Sequence, residues 1–217
     1  MLWGLAVCCL VSLAARHTLA AAEWPAFRGP AGDGHADAAR VPITWDETQN
    51  VSWQTPIHGR SWSSPVVSGN DVWLTTATED GTELSVVCVE LQSGAVRIDR
   101  QVFDAENPTD IRVYNTYASP TPDIDRGRLY ASWGSLGLAC LDAQTGETLW
   151  TRRDLECDHY RGPGSSPIVH NGKLFLHYDG FDFQYVVALN TANGETVWRT
   201  DRPHDFGTDN GDIKKAF

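Results

Sequence analysis

Long apolar runs are scarce in this chain of 217 residues. The clearest, Leu2 to Ala15, is broken by Gly4 and Ser12 and is too short, with its flanks, to span a bilayer. Positive charge is also in short supply: 17 Lys and Arg face 28 Asp and Glu, and the formal net charge of −11 is spread along the chain. That excludes nucleic acid and anionic membrane surfaces as partners. No low-complexity linker divides the sequence after its first 22 residues, so a single domain is expected. Glycine-rich phosphate loops and the Gly-x-Ser-x-Gly nucleophile turn are absent. His35, His58, His159, His170, His177 and His204 show no pair at metal-ligand spacing, so they read as surface or strand-edge residues and no metal is expected. Asp205, Asp209, Asn210 and Asp212, like Asp33 to Asp37, lack the spacing and terminal Glu of a calcium loop and read as solvated loops.

The first 22 residues stand apart. The apolar stretch is followed by Arg16-His17-Thr18 and then Leu19-Ala20-Ala21-Ala22, a small-residue run suited to signal peptidase. A signal peptide over 1–22, cut near Ala20 to Ala22, is expected, although a basic residue near the start is missing; a retained membrane anchor is the alternative. About 195 residues would then remain, enough for a sizeable core. Cys8 and Cys9 would leave with the leader. Cys88, Cys140 and Cys157 would remain, and the repeats described next put Cys88 and Cys140 at one small buried position, expected to hold free thiols.

What the sequence does contain is repetition. Ser63-Ser64-Pro65-Val66-Val67, Ser119-Pro120-Thr121-Pro122 and Ser165-Ser166-Pro167-Ile168-Val169 each open a unit. Each unit ends in a glycine turn, at Gly94, Gly146 and Gly194, and the last two continue as Gly-Glu-Thr-Leu-Trp and Gly-Glu-Thr-Val-Trp. Gly146 to Gly194 and Trp150 to Trp198 are both separated by 48 residues, a period that belongs to propellers, solenoids and arrays. In the third unit four strands are expected, Ser166–His170, Lys173–Tyr178, Tyr185–Asn190 and Thr196–Thr200, with Asn171-Gly172 and Asn193-Gly194 as type I′ hairpins. Four antiparallel strands with tight hairpins make one propeller blade. The fold class is therefore all-β, with about three complete blades (63–102, 118–155, 165–202) in an incomplete ring over 23–217. Trp53 reads as a lone outermost strand of the closing type.

The ends of the units have a mechanical reading. Asp142, and Asn190 in the next unit, bond the turn that follows, Gly146 or Gly194 takes the positive φ, and Trp150 or Trp198 docks toward the neighbouring blade. Ile98 fills that slot in the first unit, so a different docking is expected there.

On these residues, Cys140-Leu141-Asp142, Thr145-Gly146 and Trp150, the chain resembles the pyrroloquinoline-quinone-like β-propeller repeat family. Trp24-Pro25-Ala26-Phe27-Arg28-Gly29-Pro30 and Gly59-Arg60-Ser61-Trp62-Ser63-Ser64-Pro65 resemble its exported, BamB-like branch, numerous in planctomycete-type bacteria. The resemblance covers roughly residues 24–217 and implies a toroid of seven or eight blades, often a protein-binding scaffold of the envelope. Three blades fall short of the roughly four to eight that close a ring, so a truncated member is expected.

Function is sought where chain crosses from an outermost strand to the next innermost one: 57–62, 111–117 and 157–164. Aligned on the following proline, Trp62 matches Tyr117 and Arg60 matches Asn115. His58, Arg60, Trp62, Asn115, Tyr117, Tyr160 and Arg161 are the candidate binding face, polar and aromatic groups suited to a channel mouth. The alternative is rigid packing between blades. The reading is a non-catalytic envelope scaffold with protein partners, no cofactor, no transmembrane span after leader removal, and self-association through the open blade face. The rival readings are a fragment of a quinone-dependent oxidoreductase and a structural repeat without ligand. The quinone rival would require an adjacent cysteine pair, and the adjacent pair Cys8-Cys9 lies in the leader.

Overall fold

The computed structural model describes residues 22–36, 42–202 and 204–215, so Cys8, Cys9 and the expected cleavage site at Ala20 and Ala21 lie outside the described residues. Three antiparallel sheets follow one another along the chain. The first holds β1 (Ala22–Trp24), β2 (Val66–Gly69), β3 (Asp71–Ala77), β4 (Glu83–Glu90) and β5 (Val96–Asp104). The second holds β6 (Asp123–Asp125), β7 (Arg128–Ser132), β8 (Leu138–Asp142) and β9 (Thr148–Arg152); the third holds β10 (Ile168–His170), β11 (Lys173–Asp179), β12 (Gln184–Asn190) and β13 (Thr196–Asp201). β2–β5, β6–β9 and β10–β13 are each a four-stranded meander, innermost strand first, and β1 adds to the inner edge of the first. This is the expected all-β architecture of four-stranded blades, open rather than closed.

The hairpins differ in a way the sequence pattern blurs. Arg126-Gly127 and Asn171-Gly172 both have two positive φ values (48° and 74°, 48° and 72°), as a type I′ turn requires. At the last hairpin only Gly194 does, with φ 75°. Asn193-Gly194 is therefore not a type I′ pair. The loop runs from Asn190 to Glu195, closed by the Asn190 amide on the Glu195 carbonyl (2.8 Å) and the Gly194 amide on the Asn190 carbonyl (2.8 Å). The longer loop leaves one extra residue in each outermost strand. Cys88 faces Ile98 while Val89 faces Val96, and the same step recurs between Cys140 and Leu141 and between Ala188 and Leu189. Arg97, Leu149 and Val197 are the bulged residues.

The core lies between blades. Side chains alternate along each strand, so blade 2 feeds both seams: Leu129, Ala131, Ala139 and Leu141 pack toward blade 1, and Tyr130, Leu138 and Cys140 toward blade 3. Burial on both faces is why these strands read as nearly continuous apolar runs. Cys88, Cys140 and Cys157 are free and buried.

Docking of one blade on the next is explicit. Trp150 donates its indole N–H to the Thr191 carbonyl (3.0 Å), and a Cβ on Gly194 would lie 2.7 Å from its ring. Asp142 accepts from the Gln144 and Thr145 amides (2.9 and 2.8 Å) in the turn around Gly146. In the seam between blades 1 and 2, Ile98 lies against Gly146 and its neighbour supplies the missing donors. Arg97 bonds the Ala143 and Gln144 carbonyls (3.1 and 2.6 Å) while both Asp71 oxygens hold it (3.0 and 2.7 Å). The bulge brings both side chains to one turn. An aliphatic residue and a guanidinium together replace one tryptophan.

Trp53 docks on blade 1 as Trp150 does on blade 3, donating to the Leu91 carbonyl (2.8 Å) over Gly94. The stretch around it pairs with no strand among the described residues. Trp198, by contrast, remains 40% exposed against Phe175.

Candidate functional site

The three innermost strands sit side by side with β6 in the middle, stitched by the repeated Ser/Thr before the proline. The Ser64 amide bonds Thr121 Oγ1 (2.9 Å), and the Thr121 amide bonds Ser166 Oγ (3.0 Å). This register corrects the alignment drawn from sequence. Val66, Asp123 and Ile168 pair with Trp73, Tyr130 and Phe175, so Pro122, not Pro120, matches Pro65 and Pro167. Trp62 then corresponds to Ser119, and Asn115 to His58 and Tyr160. The second unit carries two prolines, and only strand pairing chooses between them.

The inner edge of blade 1 carries a strand the sequence pattern did not reveal. β1 pairs with β2 (Ala22 with Gly69, Trp24 with Val67), and the Pro25 carbonyl then accepts from the Ile124 amide of blade 2 (2.8 Å). Residues 25–32 turn away to form one wall of a groove of about 1040 Å³, with β6 as its floor and β10 as the opposite wall. Phe27, Trp62 and Tyr114, all more than half exposed, line it together with Asn115, Asp123 and Arg161.

Its polar groups hold neighbouring crossings together. Asn115 Nδ2 donates to the Arg161 and Pro163 carbonyls (2.9 and 3.2 Å), and its Oδ1 accepts from the Thr116 amide (2.8 Å). Arg161 donates to the Tyr114 hydroxyl (2.7 Å) and pairs with Asp212, which sits in the short helix α1 (Gly211–Lys214) capped by Asn210. Lys215 Nζ bonds the His159 and Gly162 carbonyls (2.6 Å each), and burial lowers its pKa to about 8. The acidic run 205–212 is thus partly folded onto the third crossing.

The candidate face divides. Trp62, Asn115 and Arg161 meet in the groove. Tyr160, with φ 58°, does not line it; the Arg112 and Arg161 guanidinium groups lie over its ring at 5.8 and 5.6 Å. His58 bonds Asp99 on the outermost strand (2.9 Å), and Arg60 pairs with Glu79 (3.1 Å); neither lines the groove. Tyr117 is buried in the seam between blades 1 and 2, donating to the Thr109 carbonyl (2.9 Å).

Sequence reasoning missed Asp123. It is 6% exposed, lies in the groove floor and accepts from the Val169 amide of blade 3 (3.0 Å). Burial pushes its pKa up to about 6, opposed by that amide and aided by Asp125. A carboxylate at the position of Val66 and Ile168 is a visible signal once the second unit is set on Pro122. His159 is not a surface histidine either. Its Nε2 accepts from the Ser135 amide (3.0 Å), and burial, then the Lys215 charge, holds its pKa down at about 3. Its other nitrogen lies 3.8 Å from the Cys157 sulfur, but burial pushes that thiol up to about 12, so the pair is not a thiolate–imidazolium couple. Among the described residues no three His, Cys, Asp or Glu side chains converge as metal ligands would.

Sheets in chain order, joined by glycine turns and docked by tryptophan, define an open arc of propeller blades. The chain belongs to the family described as outer membrane protein assembly factor BamB, whose model matches residues 36–200. Among solved structures, BamB from Moraxella catarrhalis is 18% identical with a TM-score of 0.47, over 69% of this chain and 42% of that one. A quinohemoprotein alcohol dehydrogenase from Comamonas testosteroni is 16% identical (TM-score 0.48; 66% and 21%), and a europium-containing methanol dehydrogenase 18% identical (0.48; 63% and 24%). The chain thus spans about a fifth to two fifths of these structures. No curated protein matches it.

Proposed function

We propose that the chain is a non-catalytic binding module of the cell envelope that takes a protein partner in its inner groove. The observation that carries this reading is the division of labour in the groove. Exposed aromatics, Phe27, Trp62 and Tyr114, offer contact surface, while Asn115, Asp123 and Arg161 are engaged in holding blades and crossings together. Broad aromatic surface beside fixed polar groups suits protein recognition. Membership of the BamB family supports an envelope location. No helix among the described residues is long and apolar enough to cross a membrane. Cleavage of the leader at the early end of the expected range, near Ala20, leaves β1 whole.

A quinone cofactor does not fit the residues present. The resemblance to quinone-dependent repeats would demand an adjacent cysteine pair against the cofactor, and none stands among the described residues. Here Cys88 and Cys140 lie in separate blades and Cys157 in a crossing. Burial raises the three thiols to about 12, 11 and 12.

The test is capture of partner proteins from envelope extracts by the wild-type chain and by Trp62→Ala, with Trp198→Ala as control. Loss of a specific partner with Trp62→Ala alone supports the reading. Alcohol oxidation on adding pyrroloquinoline quinone and calcium would refute it.

A further inference from the structure

The blades use only one oxygen of the carboxylate in the groove floor. Asp123 is 6% exposed, and its Oδ2 accepts from the Val169 amide (3.0 Å). Among the described residues no hydrogen bond or ion pair engages its Oδ1, and this oxygen is not one of the unpaired polar atoms sealed inside the fold. It therefore opens onto the groove that Asp123 lines. The cations of the groove are committed elsewhere. Arg161 is held by Tyr114 and Asp212. Arg28 runs toward Gly34, outside the groove, where a Cβ would lie 3.8 Å from its Nε. His177 bonds Ser165 Oγ (2.8 Å) and His170 bonds Asn171 (2.9 Å). The neighbouring charge that bears on Asp123 is Asp125, of the same sign. A buried carboxylate with no counter-charge is costly, and the cost is recovered only when a cation reaches it.

We infer that the partner protein presents a lysine side chain to the groove, with its ammonium on Asp123 Oδ1. The charge of the occupant follows from the uncompensated carboxylate. Its type follows from the geometry of the acceptor. An arginine fork needs both carboxylate oxygens, and Oδ2 is already turned to the Val169 amide, whereas an ammonium needs one. The walls suit the rest of the side chain. Phe27, Trp62 and Ile168 are 56%, 58% and 61% exposed, apolar surface on which a four-carbon stem can lie while its charged end goes to the floor. The inference rests on the reading of the groove as the partner site and adds which side chain it selects. Asp123 is then the specificity-determining residue, and the exposed aromatics supply the contact area around it.

Titration with n-butylammonium, n-butylguanidinium and n-butanol tests it without a partner in hand. Binding is read from the Trp62 indole N–H resonance at about pH 8, where the carboxylate is ionised and the amine protonated. The expected result is that n-butylammonium binds about tenfold tighter than n-butanol and tighter than n-butylguanidinium, the scale of one charge-assisted hydrogen bond. Asp123→Asn keeps an acceptor for the Val169 amide and should erase the preference for the cation. Equal binding of n-butylammonium and n-butanol, a preference that survives Asp123→Asn, or guanidinium binding as tight as ammonium overturns the inference. Capture from envelope extracts separates it from the reading it rests on. A partner lost with Trp62→Ala but kept with Asp123→Asn overturns the lysine and leaves the groove standing. A partner kept by both variants removes the groove reading itself, and the lysine with it.

Discussion

Trp150 and Trp198 occupy the same place in consecutive blades and differ in whether a next blade follows among the described residues, so truncating each measures what docking contributes. Replacing a fully buried tryptophan by alanine costs about 3–5 kcal/mol. Trp150 is half-buried, so its packing is worth about half of that, and its hydrogen bond adds about 1 kcal/mol. The Thr191 carbonyl keeps Arg128 (3.0 Å) and the Tyr130 hydroxyl (3.4 Å) as donors, so no buried acceptor is orphaned. Trp150→Ala should therefore lose about 2.5–3.5 kcal/mol. Among the described aromatic rings Trp198 rests on Phe175 alone (6.0 Å), and it is 40% exposed. Trp198→Ala should lose about 1–2 kcal/mol, from partial packing and one aromatic pair without a hydrogen bond to a following turn. Urea unfolding at a concentration low enough to keep the chain as one copy reads both. Equal losses, or a Trp150→Ala loss below about 0.5 kcal/mol, would refute docking as the source of seam stability.

Further outcomes follow from the same contacts. Arg97→Ala should lose about 2 kcal/mol through its carbonyl and Asp71 bonds, and Arg97→Lys should recover little, because an ammonium cannot reproduce the planar fork; urea midpoints of the two variants decide. Burial holds the Asp123 pKa up at about 6 in the folded chain, against 3.8 for an ordinary aspartate, so the folded chain keeps its proton after the unfolded chain has lost it. Its contribution is thus most favourable below about pH 4 and is lost as pH rises through about 6. Asp123→Asn should remove that slope and stabilise the chain at neutral pH by about 1–3 kcal/mol, read as melting temperature against pH. His159 has the opposite sign. Its pKa of about 3 against 6.5 gives stability present above pH 6.5 and lost as pH falls toward 3, and His159→Gln should flatten that acid limb.

The repeat made the blades legible because each blade is a local meander whose turns are written in glycine. Asp142, Gly146, Trp150 and Gly194 act within or one step beyond their own unit, so their roles follow from spacing. Trp198 has the same local signal, but among the described residues no following turn receives it. β1 could not be read, since Ala22, Glu23 and Trp24 owe their strand to β2, more than 40 residues away. Arg97 escaped notice because a bulge, not strand alternation, turns it to the seam. The candidate face was half legible. Aromatic and polar crossings did mark the groove through Trp62, Asn115 and Arg161. Tyr117, His58 and Arg60 share that composition, yet backbone path sends them to a buried seam and to the outer flank.

The most direct test of the account is site-specific photo-cross-linking in the source cells. A photoreactive residue replaces Trp62 in the groove, and a second variant carries it in place of His58 on the flank. The account predicts a discrete protein adduct from position 62, abolished by a second change that fills the groove, Ile168→Trp, and no such adduct from position 58. Adducts of equal yield from both positions, or none from position 62 in a folded chain, would contradict it.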